Sequence, residues 1–127
     1  MLISLCGYKG RVIVQIKTFE IEQATTILKL LGDKTRLMMI ALLNRDECCV
    51  CEFVELFTMS QPSISQHLRK LRDVGLVLEK RKGQWVFYSL NTANEAYPLI
   101  QTLLAYIPDQ TKKLDALAAE GKRIICD

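Results

Sequence analysis

Apolar residues recur at helical spacing from residue 19 onward. Ile21, Ala24, Ile27, Leu28 and Leu31 fall on one face of a helix predicted over 19–31. Gly32 ends it, and Asp33 stands where a carboxylate caps a following helix over 34–43. From Leu37 to Leu43 this second helix is apolar nearly all round, which places it in the middle of a fold. After a turn at Asn44-Arg45-Asp46, a third helix over 50–57 offers Phe53, Val54 and either Leu56 or Phe57 to the core. Thr58-Met59 is a tight connection to a fourth helix, with Ser60 as N-cap, Pro62 in the first turn and an end near Asp73. Ile64, Leu68 and Leu71, at i, i+4 and i+7, fix its buried face. Gly75 stops it. Two strands, 77–82 and 85–90, are rich in β-branched and aromatic residues and flank Lys82-Gly83. A break at 91–94 precedes a last long helix, 95–106, carrying Leu99, Ile100, Leu103 and Leu104. Pro108 ends it, and 110–119 reads as a short further helix. Val12 to Ile16 has strand character without an obvious pairing partner.

The pattern predicts a mainly α fold with a small β-hairpin, a winged helix–turn–helix. Residues 1–17 form an arm of uncertain structure, 18–108 the winged helix–turn–helix domain, and 109–127 a C-terminal tail. The first and last helices carry apolar stripes outside the helix–turn–helix and are the expected dimer surface. The chain has 127 residues, half of them apolar, enough for the core of one domain. No apolar run approaches the roughly 18–20 residues that cross a bilayer. The first residues lack the basic start and cleavage site of a signal peptide. These features predict a soluble, cytoplasmic protein with no membrane partner.

Charge narrows the function. The net charge is +3, and residues 60–90 alone carry six basic against two acidic groups. The excess is therefore concentrated around the fourth helix and the hairpin, as a phosphate-binding surface requires. Gln61, Ser63, Ser65 and Gln66 line the start of the fourth helix with short donors and acceptors able to read base edges. Arg69 and Lys70 follow at phosphate-contacting positions, and Arg81 and Lys82 form a basic hairpin tip. His67, the only histidine, is read as packing between helices, with a phosphate contact as the alternative. Double-stranded operator DNA is the expected partner.

The segments Cys49-Val50-Cys51-Glu52-Phe53, Met59-Ser60-Gln61-Pro62-Ser63-Ile64-Ser65-Gln66-His67-Leu68, Gly75-Leu76-Val77 and Gly83-Gln84-Trp85-Val86-Phe87-Tyr88-Ser89-Leu90 resemble the ArsR/SmtB family. That resemblance covers about 19–107. It implies a homodimeric winged-helix repressor that leaves DNA when a metal ion binds.

Five cysteines are present, and Cys48, Cys49 and Cys51 crowd into four positions. A disulfide framework spreads its cysteines, so this bunch reads as a soft-metal site. Within the family it resembles the members that respond to As(III) or Sb(III), whose thiophilic, three-coordinate chemistry suits cysteine. The best-known pattern, Cys-x-Cys-x-x-Cys, is broken because Val54 stands where the third cysteine belongs. Cys48 is the first candidate for the missing thiolate, Cys6 the second and Cys126 a distant third. On an intact helix Cys49 and Cys51 would point about 200° apart, while Cys48 and Cys51 would share a face. Gathering three thiolates would then require the helix start to be remade.

Two alternatives keep the fold. One senses Cd(II) or Pb(II), with Cys6 joining the Cys49/Cys51 pair; the other is a thiol redox switch. A zinc site on the last helix is not expected, because 95–115 contains no histidine. An enzyme with a reactive Cys-x-x-Cys would need a strand before the helix, and the sequence shows an all-helical stretch there. No catalysis and no catalytic cofactor are expected.

Overall fold

The computed structural model describes residues 18–123, so the strand character read at 12–16, Cys6 and Cys126 lie outside it. The elements are α1 (Ile21–Leu31), α2 (Lys34–Leu43), β1 (Cys48–Cys49), α3 (Val50–Phe57), α4 (Gln61–Asp73), β2 (Val77–Lys82), β3 (Trp85–Leu90), α5 (Tyr97–Ala105) and α6 (Lys112–Ala119).

The helix ends follow local chemistry. Asp33 has extended backbone and accepts the Arg36 N–H at 3.0 Å, which starts α2. Ser60 does the same for α4, its hydroxyl accepting the Ser63 N–H at 3.3 Å. At the other end of α4, Gly75 adopts φ +80°, the Leu76 N–H returns to the Leu71 carbonyl and the Gly75 N–H to that of Arg72. This is a Schellman stop, and only glycine takes that conformation without strain. In the hairpin, Lys82 pairs with Trp85 across a two-residue loop with φ +64° at Gly83, as a type II′ turn requires.

Met39, Ile40 and Leu42 of α2 are fully buried beside Phe53 and the Ile64, Leu68 and Leu71 stripe of α4. The helix that is apolar all round is therefore the centre, and α4 lies on it with its polar side outward. The stripe of α1 is split. Ile27 and Leu31 enter the core, while Ile21 and Leu28 stay 69% and 58% exposed. α5 starts at Tyr97 rather than Glu95, because the Asn94 side chain accepts the Ala96 N–H at 2.7 Å and holds that segment in a turn.

The structure also corrects the sequence reading of the sheet. The sheet has three strands, in the order β1-β3-β2. β1 pairs antiparallel with β3, Cys48 opposite Tyr88 and Cys49 opposite Phe87. A two-residue strand has no periodicity to read, and it forms by satisfying the edge of β3 that the hairpin leaves open. The stretch before α3 is thus not all-helical. At the chain's end, α6 falls within the stretch read as a short further helix, packs on α3 and buries Leu114 and Leu117.

Candidate functional site

Because β1 is extended, its neighbouring side chains point to opposite faces. Cys48 goes into the hydrophobic core, and its thiol donates to the Asp46 carbonyl at 3.7 Å. Cys49 goes to the other face and serves as the N-cap residue of α3, with φ −82° and ψ 151°. Cys51 is in the first turn of the helix. The bend between strand and helix brings the two Sγ atoms to 2.9 Å, with Cys51 donating to Cys49. The 200° separation expected on an intact helix is therefore overturned, because Cys49 is not on the helix. The face shared by Cys48 and Cys51 disappears for the same reason. Among the described residues no group of three His, Cys, Asp or Glu side chains is placed to hold a metal ion.

Burial pushes the Cys51 thiol up to about 12, helped by its hydrogen bond to Cys49 and by the negative charge of Glu52. Burial and Glu52 push Cys48 up to about 12 as well, with Arg123 pulling the other way. These are protonated thiols at neutral pH, unlike the low-pKa cysteines of redox catalysts.

Glu52 is the residue that sequence reasoning missed. It is 1% exposed, and its carboxylate accepts the Cys49 N–H at 2.6 Å and the Arg123 guanidinium. Arg123 also donates to the Glu47 carbonyl and to Asp46. Glu47 in turn meets Lys82 of the hairpin at 2.9 Å. The Cys-x-Cys-Glu spacing carried a signal, since a glutamate three residues after an N-cap closes a capping box.

The pair opens onto a cleft of about 420 Å³. Its walls include Val54 of α3, Gln61, Ser65 and Arg69 of α4, and Gln84, Trp85, Val86 and Tyr88 of the hairpin. The candidate inducer ligands thus face the candidate DNA reader across one cavity.

The predicted DNA contacts occupy two environments. Gln61, Gln66, Arg69, Lys70 and Arg81 are exposed, and Ser65 is half-buried in the cleft wall. The Ser63 hydroxyl lies 3.0 Å from that of Ser60, within the helix cap. Lys82 is turned back onto Glu47 and the Phe87 ring. Arg72 is held by Glu79 and Asp73. His67 packs as expected, its Nδ1 3.1 Å from Arg36, and it joins α4 to the start of α2.

Residues 33–78 match the sequence profile described as "Bacterial regulatory protein, arsR family". The arsenical resistance operon repressor of Staphylococcus aureus is 31% identical over 105 residues, covering 83% of this chain and 89% of that protein. The chain belongs to the arsR family. The arsenic resistance transcriptional regulator ArsR1 of Pseudomonas putida is 45% identical over 73 residues, 57% of each protein. The chain thus spans little more than half the length of some relatives it matches. Among solved structures, HlyU of Vibrio cholerae superposes with a TM-score of 0.62 at 32% identity, over 68% of this chain and 94% of that one. These relatives are regulators and not enzymes, so that expectation stands although the all-helical argument for it falls. Membership also supports the winged helix–turn–helix fold. Among the described residues no helix is long and apolar enough to cross a membrane.

Proposed function

We propose that this arsR-family protein is a cytoplasmic, homodimeric repressor that binds double-stranded operator DNA and releases it when As(III) or Sb(III) binds Cys49 and Cys51. The observation that carries this reading is the pair of converging thiols at the start of α3, across one cleft from Gln61, Ser65 and Arg69. Relatives named as arsenical resistance repressors support the arsenic-type inducer. The exposed apolar residues Ile21 and Leu28 of α1 and Leu99 of α5 support pairing of two copies through these helices.

In this reading Gln61, Ser65 and Gln66 contact base edges, Arg69, Lys70 and Arg81 contact phosphates, and the region 18–108 acts as the reader. Cys49 is hydrogen-bonded through β1 to the hairpin and begins a helix packed on α4. Drawing its sulfur toward an arsenic atom therefore acts on both DNA-contacting elements. Linkage requires the reverse effect too, so operator DNA weakens inducer binding by the same factor.

The test is operator release by arsenite. The double variant Cys49→Ser/Cys51→Ser holds its operator in arsenite that frees the wild type, and release by that variant would refute the assignment.

Cadmium or lead sensing is separable by pH. The Cys51 thiol is protonated at neutral pH, and a divalent ion must displace its proton, so its affinity rises about tenfold per proton released for each pH unit. Arsenous acid brings hydroxides that leave as water with the thiol protons, so its binding is flat between pH 6 and 8. Titrations of reduced protein at several pH values measure both slopes.

A further inference from the structure

Helix α6 and the residues after it lie beyond the family match at 33–78, yet they are tied to one place in the fold. Arg45, in the turn after α2, donates to the Thr111 carbonyl at 3.0 Å and pairs with Asp115 at 2.7 Å. Leu114 and Leu117 are buried where α6 packs on α3. The helix closes in a Schellman stop at Gly121, the Lys122 N–H returning to the Leu117 carbonyl at 3.0 Å. The next two side chains land on α3: Lys122 meets Glu55 at 2.9 Å, and Arg123 meets Glu52. The Glu52 side chain is fully buried and that of Arg123 only 14% exposed, so this pair differs from the open Lys122–Glu55 pair beside it. One Glu52 oxygen accepts from Arg123 and the other from the Cys49 N–H at 2.6 Å. A single carboxylate therefore joins the end of the described chain to the backbone of a thiol residue.

We propose that residues 111–123 form a strap and that Arg123 is a positioning residue: through Glu52 it fixes the Cys49 backbone, keeps the two thiols converged, and so sets the inducer concentration that frees the operator. The last part rests on the arsenic reading; the positioning of Cys49 does not. Without Arg123 the buried carboxylate loses its guanidinium, and it turns toward water or takes up a proton. Either change loosens its hold on the Cys49 N–H. The thiols must then be gathered when the inducer binds, and that ordering cost weakens binding. The partners of Arg123 are Glu52, Asp46 and the Glu47 carbonyl, none of them assigned to DNA. Operator affinity without inducer is therefore independent of the strap's last residue.

The test uses the full reduced chain and two readouts: the amide resonance of Cys49, and operator release by arsenite at a temperature where every variant is folded. A short, charge-assisted bond to Glu52 places the Cys49 amide proton downfield. In Arg123→Ala that resonance moves upfield while the α4 amides stay in place. Release then needs about fivefold more arsenite or beyond, with operator affinity in its absence unchanged. Arg123→Lys recovers part of both effects. Lys122→Ala removes the same charge from the open pair and changes neither. Glu52→Gln keeps an acceptor for the Cys49 N–H but offers Arg123 no charge, so adding Arg123→Ala to it shifts release far less than in the wild type. The proposal fails if Arg123→Ala leaves the Cys49 resonance or the release concentration unchanged. It fails likewise if Lys122→Ala acts as strongly, or if the Arg123→Ala shift is undiminished in Glu52→Gln. If arsenite leaves the wild type on its operator, the arsenic reading is wrong, and the Cys49 resonance alone decides whether Arg123 positions the junction.

Discussion

Helix α4 is held by Ile64, Leu68 and Leu71, all fully buried, and it turns its polar groups to solvent. Helix α3 begins the other way round. Its chemically active groups, Cys49 and Glu52, are themselves buried, and charges from distant parts of the chain hold them. Arg123 reaches Glu52 from beyond α6, and Lys82 reaches Glu47 from the hairpin. An apolar anchor is indifferent to small chemical change at the surface, whereas a charge-held junction is rearranged by any ligand that alters its local geometry. The reader is thus built to keep its shape, and the thiol site to change.

Truncating the apolar anchor has the largest effect. Leu68→Ala is expected to cost about 3 kcal/mol of stability, in the usual range for a fully buried leucine. Urea unfolding measures it, and a loss below about 1 kcal/mol would mean that the core does not anchor α4. Arg123→Ala removes a charged partner from the buried Glu52 carboxylate and is expected to cost less, about 2 kcal/mol. It also shifts the arsenite titration, because Glu52 caps the Cys49 N–H, whereas Leu68→Ala acts on the titration only through unfolding. Arg123→Lys restores part of the loss. If Arg123→Ala left both stability and titration unchanged, the charge-held half of the comparison would be wrong. Gly83→Ala, at φ +64° with no neighbour within 4 Å of an added Cβ, costs only about 1 kcal/mol of backbone strain. It leaves the thiol titration alone as long as the Lys82–Glu47 pair beside the turn is kept.

The same contrast explains what could be read from sequence. α2, α3, α4 and both hairpin strands were legible to the residue, because capping groups, a seven-residue apolar run and a glycine stop each speak locally. The cysteines were legible as a bunch but not as a geometry. Two strand residues have no period, so the bend that unites Cys49 with Cys51 and removes Cys48 depends on the edge of β3, nearly forty residues away. The burial of Glu52 could not be read from its neighbours, because its partner Arg123 lies 71 residues on. Lys82 looked like a phosphate contact because Glu47, 35 residues before it, could not be paired with it in advance.

The most direct test of the central claim, that Cys49 and Cys51 bind the inducer while Cys48 does not, is arsenic X-ray absorption of the arsenite complex. The wild type and Cys48→Ser should give the same number of sulfur neighbours, and Cys51→Ser should lose one. A sulfur neighbour that disappears in Cys48→Ser would contradict the account.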